Sequence, residues 1–187
     1  NSPNFAFDRA GWLTNTKGYV LVVSNEMEFN YKYLLGVLNS PVLWYFIKQT
    51  SSPFSGAFYE FTTNNLGRFT VPNCEMEAQK LIATIVDYVL YLKGIMLDET
   101  DSARSLMIAY FEQVINGLVY ELYLAKEIQE AQKYFFKPLK DEKLPAVDKI
   151  HGDKLAEIRR IFECLFDRNH VIRKNIFFLD TLEIVRI

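Results

Sequence analysis

Cysteine and histidine are scarce in this chain, with two of each among 187 residues. Cys74 and Cys164 match no metal-binding spacing, and a disulfide framework would need more cysteines in a much shorter chain. His151 and His170 are isolated, and the sequence contains no HExxH motif and no Cys/His cluster. We therefore expect no metal site, no disulfide scaffold and a reducing cytoplasmic environment.

The chain also lacks a long hydrophobic run and an excess of charge of one sign. Its longest nearly unbroken apolar stretch, residues 33–47, includes Asn39 and is shorter than the ~20 residues that a membrane-spanning helix needs. The opening NSPNFAFDRAG has neither the basic start nor the apolar core of a signal peptide. A net charge of −2 gives no overall attraction to nucleic acid or to anionic membranes. We expect a soluble protein without membrane contact, and the absence of a starting Met suggests either an excised fragment or a processed chain.

Glycine and proline are few, and the motifs of common enzymes are missing. Hydrophobic residues make up 50% of the chain and aromatic residues 15%, which is typical of a folded protein that buries a core. The sequence has no glycine-rich phosphate loop, no GxSxG motif and no cysteine with an obvious partner base. The acidic run at residues 98–101 is typical of solvated helix caps. The sequence therefore predicts no catalytic residue in this chain.

Strand-like patterns are frequent in the first 72 residues. The run GYVLVV (18–23) is β-branched and aromatic, and it predicts a buried strand. FAFD (5–8) and GWLT (11–14) resemble a weaker hairpin pair, AFYEF (57–61) alternates like a strand, and GRFTVP (67–72) is typical of a short edge strand. Together these segments predict a small mixed or antiparallel sheet.

A helix, a joint and a second helix are predicted between these strands, in YLLGVLNSPVLWYFIKQTSS (33–52). The helical spacing of the first segment ends at Leu38. Ser40 is a good N-cap, and Pro41 then takes the first helical position, where its missing N–H costs nothing. The second helix is expected to end near Gln49, with Lys48 placed favourably at the negative end of the helix dipole.

Helical periodicity replaces strand-like patterns after Pro72. Residues 75–93 and 103–128 carry long apolar stripes and predict an antiparallel helical hairpin. A looser stretch follows, and a further strong helix is predicted around residues 155–166. The tail NIFFLDTLEIVRI (175–187) has β-rich or mixed character.

The predicted fold class is therefore α+β: a small mixed β-sheet with a helix-joint-helix, followed by a long antiparallel helical hairpin and further helices. The change of pattern divides the chain into an α/β subdomain, residues 1–73, and a mainly helical subdomain, residues 74–187.

The order of motifs in residues 33–73 resembles the TaqI-like C-terminal specificity domain of type IIG restriction-modification enzymes and related adenine-specific DNA methyltransferases. The matching features are a LLxxLNS turn (34–40), a run of small polar residues (50–56), an aromatic strand (58–59) and a closing strand that ends in Pro (69–72). FDRAGWLTNTKGYVLVV resembles the entry into that domain, and FEQVINGLVYELYLAKEI resembles a helical segment that often follows it. Asn116, Gly117 and Ala125 depart from the family's usual residues in that helix.

The resemblance implies that residues 1–73 recognise a specific double-stranded DNA sequence. The family's Asn-Pro-Pro-Tyr/Phe signature and its upstream cofactor loop are absent from this sequence. Catalysis and S-adenosylmethionine binding would then belong to a missing methyltransferase domain of the same chain, with no cofactor held in this fragment. The parent is expected to be a site-specific adenine DNA methyltransferase, with or without an endonuclease.

The resemblance places the candidate DNA-binding residues in two polar loops and the aromatic strand. Hydroxyl groups and lysine suit phosphates, whereas asparagine suits adenine edges and arginine suits guanine. The simpler alternatives are that residues 64–67 form only a turn and that the lysine is only a helix-end charge. The candidates are Lys48, Thr50, Ser51, Ser52, Tyr59, Asn64, Asn65 and Arg68.

A second function of a different class is also compatible with the sequence. The long helical hairpin can serve as a protein-interaction or domain-docking module without direct DNA contact, and the slightly negative charge favours this alternative.

Overall fold

The computed structural model describes residues 4–8, 10–11, 20–23, 29–54, 58–59, 61–95, 102–179, 181–182 and 185. Its helices are α1 (Tyr31–Leu38), α2 (Pro41–Thr50), α3 (Thr63–Leu66), α4 (Met76–Gly94), α5 (Ser102–Tyr123), α6 (Ala125–Glu130), α7 (Phe136–Asp141), α8 (Lys154–Phe166) and α9 (Val171–Leu179), with a 3-10 turn at Val147–Lys149. Two strands, β1 (Pro53–Phe54) and β2 (Phe58–Tyr59), form one antiparallel pair with Pro53 opposite Tyr59.

The regular structure of the described residues is almost entirely helical, so the predicted α+β class with a small mixed sheet is wrong. Among the segments predicted as strands, only AFYEF (57–61) contains a strand in its described residues, and this strand is the two-residue β2. The rest of the predicted strand pattern either forms irregular structure or lies outside the described residues, as residues 12–14 and 18–19 do.

The segment predicted as a buried strand at 18–23 is neither buried nor paired where the structure describes it. Val20, Leu21 and Val22 are 61%, 45% and 81% exposed and have no strand assignment. High β-propensity forms a strand only where a neighbouring strand accepts its backbone hydrogen bonds and its side chains pack. The described residues provide no such neighbour for this segment.

Residues 5–8 are also not a strand, because a side chain takes the place of a strand partner. The N–H of Phe5 donates to Asn39 Oδ1 at 3.0 Å, and Asn39 Nδ2 donates to the Phe5 carbonyl at 3.1 Å. Asp8 Oδ1 then accepts from the N–H groups of Ala10 and Gly11, which turns the chain.

The predicted edge strand at 67–72 is an irregular segment whose carbonyl groups are held by tyrosine hydroxyls. Tyr33 Oη donates to the Pro72 carbonyl at 2.7 Å, and Tyr123 Oη donates to the Thr70 carbonyl at 2.8 Å. These bonds satisfy backbone acceptors that a sheet would otherwise have to satisfy. Two helices therefore anchor the segment that was predicted to belong to a sheet.

The helix-joint-helix is confirmed, with α1 ending at Leu38 and α2 beginning at Pro41. Ser40 occupies the N-cap position, but it makes no side-chain cap bond; its buried hydroxyl donates back to the Val37 carbonyl at 2.6 Å. The side chain of Asn30 instead caps α1, because it accepts from the N–H groups of Lys32 and Tyr33.

The main core lies where α1, α4, α5, α8 and α9 meet, and a smaller apolar cluster lies around Leu38, Leu43 and Ile47. Helix α1 approaches α4 and α5 closely at Gly36. A Cβ atom at this position would lie 3.0 Å from Ile82 Cγ2 and 3.3 Å from Ile115 Cγ2. The first 71 residues and the later helices therefore share one packed core.

The later helices lie where the periodicity predicts them, except at the end of the chain. α4 and α5 pack against each other, and α8 covers the predicted inward positions. The β-rich or mixed character predicted for 175–187 is wrong for residues 175–179, which belong to α9. The division into subdomains 1–73 and 74–187 stays a prediction.

No described helix is both long enough and apolar enough to cross a membrane.

Buried tyrosine hydroxyls fix several elements of the core. Tyr88 Oη donates to the Pro145 carbonyl at 2.6 Å, and Tyr110 Oη donates to the Leu165 carbonyl at 2.5 Å. Burial raises the pKa of Tyr33, Tyr88, Tyr110 and Tyr123 above the ordinary tyrosine value. All four hydroxyls therefore remain protonated donors at neutral pH.

Tyr110→Phe should lower the free energy of unfolding by about 0.5–1.5 kcal/mol, the net value of one intramolecular hydrogen bond. The change removes the bond between α5 and the end of α8 and keeps the buried ring. Urea unfolding monitored by circular dichroism measures the difference, with Tyr45→Phe as the control because Tyr45 is 39% exposed. Equal losses in both variants would contradict a stabilising role for the buried hydroxyl.

Candidate nucleic-acid interface

The end of α2 and the short helix α3 bring most of the predicted DNA-binding residues into one neighbourhood. Asn65 Nδ2 donates to Ser51 Oγ at 2.8 Å, which joins the residue after α2 to α3. The β1–β2 hairpin connects the two helices along the chain. We call this set the polar rim, and it consists of Lys48, Thr50, Ser51, Ser52, Asn64, Asn65 and Arg68.

Four members of the polar rim are accessible to a ligand. Ser52, Asn64 and Arg68 are exposed, and Lys48 is half-buried in the last turn of α2. They provide a hydroxyl, an amide and two cations, which are the groups that contact phosphates and base edges. The chemistry predicted for this part of the chain is therefore available on its surface.

The other predicted residues are engaged within the protein. Thr50 Oγ1 donates to the Phe46 carbonyl at 2.8 Å, so its proton is used inside α2. Tyr59 packs edge-on against Trp44, with ring centroids 5.5 Å apart. Ser51 and Asn65 are half-buried and bond to each other. These contacts indicate that the four residues position the exposed members of the rim.

The structure around Asn64 and Asn65 is a short helix. The sequence predicts a turn at residues 64–67 and an edge strand from residue 67, and the structure differs from both. Residues 63–66 form a helical turn, capped by Thr62 Oγ1, which accepts from the Asn65 N–H at 3.1 Å. Arg68 follows this helix and does not begin a strand; its N–H donates to the Asn65 carbonyl. The sequence contains only a weak signal for this helix, because threonine at position 62 is an acceptable N-cap but no longer helical pattern follows it.

A cleft of about 960 Å³ lies between residues 4–7 and helices α1, α2, α4 and α5. Its walls include the aromatic rings of Trp44 and Tyr59, and its polar part contains Lys93 and Glu112, whose side chains form an ion pair at 2.7 Å. This ion pair is about half exposed, so it resembles an ordinary surface pair more than a pair of catalytic groups.

Sequence reasoning missed one cluster of chemically reactive side chains, none of which belongs to the rim. Glu142, Cys164 and His170 have donor atoms that all lie within 4.8 Å of one another. The spacing between them follows no short motif, because three separate elements of the fold bring them together. The sequence offered no local signal for this cluster.

Comparison with known proteins finds a family match for the part of the chain that contains the rim. No curated protein and no solved structure shows significant similarity to the chain. Residues 1–71 match the family model described as the TaqI-like C-terminal specificity domain. The similarity noted for residues 111–128 lies outside this match and stays a prediction. The resemblance to the TaqI-like C-terminal specificity domain is thus confirmed for residues 1–71, the segment that carries every residue of the polar rim.

Proposed function

We propose that this chain recognises a specific double-stranded DNA sequence as the specificity region of a larger restriction-modification enzyme. The observation that carries the proposal is that the specificity-domain match and the polar rim coincide within residues 1–71. Within that segment, exposed cationic and amide groups lie on a base formed by α2 and α3, which the Asn65–Ser51 bond joins. Sequence-reading residues need such a base, because base edges are read at hydrogen-bond distance.

The packing of the helices supports this proposal over a docking role for the helical hairpin. Most of the apolar stripe of α5 is buried inside the chain, as Phe111, Val114 and Leu118 show with 0% exposure. A docking helix would instead present such a stripe to its partner. The stripe that suggested the docking alternative is therefore largely occupied by the chain's own core.

The proposal extends to the parent enzyme. A methyltransferase domain of the same chain would bind S-adenosylmethionine and methylate adenine, as in type IIG enzymes, with or without an attached nuclease. The reaction would take place in the cytoplasm. Both cysteines, Cys74 and Cys164, are free thiols, which agrees with a reducing compartment.

The 187-residue chain by itself should bind duplex DNA weakly, in the range of non-specific complexes, with a dissociation constant of about 10⁻⁴–10⁻⁶ M at physiological salt. Its net charge of −2 offers little long-range attraction, and we assign most phosphate contacts to the methyltransferase domain. Gel-shift titrations of the chain and of the full-length parent, at low and physiological salt, measure the difference.

Selection of bound sequences from a randomised duplex library by the full-length parent tests the function itself. A defined consensus site is the expected result, and recovery of random sequences would contradict sequence recognition. Tight binding by the isolated chain would contradict only the assignment of phosphate contacts to the methyltransferase domain.

A further inference from the structure

Three potential metal ligands of different chemistry meet on the side of the chain formed by α7, α8 and α9. His170 Nε2 lies 2.9 Å from Glu142 Oε1, and Cys164 Sγ lies 3.8 Å from Glu142 Oε2. Glu142 follows α7, Cys164 lies in α8 and His170 directly precedes α9. A thiol, an imidazole and a carboxylate in this arrangement are the donors that zinc prefers in proteins.

The distances are close to those of a tetrahedral site. Zinc–donor bonds of about 2.0–2.3 Å place neighbouring donor atoms roughly 3.3–3.6 Å apart. The three donor atoms lie between 2.9 Å and at most 4.8 Å from one another. Side-chain movements of about an ångström therefore bring them into coordination distance, with water as the fourth ligand.

The surrounding charges permit a cation at this position. Asp167 and Glu142 both act on the Cys164 thiol as negative neighbours. Arg160 is the opposing positive group, but its guanidinium is held by Glu157 through two bonds of 3.0 and 2.7 Å. The cluster thus carries negative charge that Arg160 only partly offsets.

We propose that Glu142, Cys164 and His170 bind one Zn²⁺ ion, which links the end of α7 to α8 and to the start of α9. The ion replaces the present His170–Glu142 contact and recruits the Cys164 sulfur as a thiolate. The site is independent of the DNA-recognition proposal, since no member of the polar rim takes part.

Binding requires two changes in protonation. Partial burial and the Glu142 carboxylate raise the pKa of the Cys164 thiol, so the metal must displace the thiol proton into solvent. His170 Nδ1 accepts from the Ile172 N–H at 3.2 Å, which leaves the proton of a neutral ring on Nε2. Coordination through Nε2 moves that proton to Nδ1 and ends the bond from the Ile172 N–H, which lies at the upper end of the ordinary range of lengths. At least one proton per metal ion should therefore be released.

Titration of the full 187-residue chain with Co²⁺ under reducing conditions tests the proposal. Expected results are one Co²⁺ per chain, a thiolate-to-cobalt charge-transfer band in the near ultraviolet, and loss of that band when Zn²⁺ is added. Zn²⁺ should also raise the melting temperature, whereas Mg²⁺ should not, because it prefers oxygen ligands.

The other cysteine and the other histidine of the chain provide matched controls. Cys164→Ser should abolish the charge-transfer band and weaken Zn²⁺ binding at least about tenfold, while Cys74→Ser should leave both unchanged. His170→Asn should also weaken Zn²⁺ binding at least about tenfold. Asparagine is chosen because it is a good N-cap and should preserve the start of α9. The control His151→Asn should bind Zn²⁺ normally. Circular dichroism confirms that each variant folds. Absence of the band in the unmodified chain, or its persistence in Cys164→Ser, would show that the cluster is only a hydrogen-bonded contact.

Discussion

Replacement of Gly117 by alanine should destabilise the chain by up to about 2 kcal/mol, which is the usual overpacking cost of ~1–3 kcal/mol less the ~1 kcal/mol by which alanine is the better helix former. Gly117 is buried in α5 against Phe135, and a Cβ atom there would lie 2.3 Å from Phe135 Cε1 and 2.6 Å from Cδ1. The Phe135 side chain is itself 0% exposed, so its ring has little space to move. The steric cost therefore outweighs the ~1 kcal/mol that alanine gains over glycine in a helix.

Gly94 and Phe135 supply the controls for this prediction. Gly94 is the last residue of α4, and a Cβ there would meet no atom within 4 Å. Gly94→Ala should therefore stabilise the chain by about 0.4–1 kcal/mol. In a Phe135→Leu background the penalty of Gly117→Ala should fall, which a double-mutant cycle of urea unfolding measures. An unchanged penalty in that background would show that Phe135 is not the cause.

Arg68→Ala in the full-length parent should reduce discrimination at one base position of the target by about 1–3 kcal/mol, the value of one bidentate contact with a base. Arg68 is exposed and follows α3, so the fold should remain within about 0.5 kcal/mol of the original stability. Methylation of a library of variant sites measures the change in preference. Thermal melting of the same variant measures any change in stability.

Lys48→Ala provides a contrast within the same rim, because we assign Lys48 to phosphate. Its loss should weaken binding to all sequences alike and reduce the slope of log affinity against log salt by about one. Arg159→Ala, an exposed arginine on α8, is the matched control and should change neither quantity. Unchanged preference and affinity in both rim variants would place the recognition surface elsewhere.

The helices of this chain could be predicted from its sequence because the local signals agree with the final packing. The Asn39-Ser40-Pro41 joint falls where predicted, and the periodicity that follows Pro72 locates α4 and α8 closely. Apolar residues at helical spacing form a helix and a core face at the same time, so one pattern determines both.

The sheet could not be predicted correctly, because the strand-like segments depend on partners that are not local. The backbone of Phe5 takes an asparagine side chain as partner, and the carbonyl groups of Thr70 and Pro72 accept from two tyrosine hydroxyls. Both arrangements satisfy the backbone without a second strand. β-propensity reports only that a segment fits a pleated surface, not that such a surface exists.

The two candidate sites also differ in whether local sequence or tertiary packing brings their residues together. The polar rim lies within about twenty residues of sequence and within a recognisable family pattern, so its members could be named before the structure. The Glu142–Cys164–His170 cluster depends on the relative placement of three helices. Its residues are separated by 22 and 28 positions from Glu142, and no short motif connects them.

The close approach at Gly36 has a consequence for the design of chimeras between this chain and others that share the family match. The family match ends at residue 71, but α1 fits into a groove lined by Ile82, Val86 and Ile115, which lie beyond that end. A crossover at residue 71 would place α1 of one parent against the groove of another. Chimeras will therefore keep an intact interior only if α4 and α5 are transferred together with residues 1–71, so the segment to exchange is longer than the segment that matches the family.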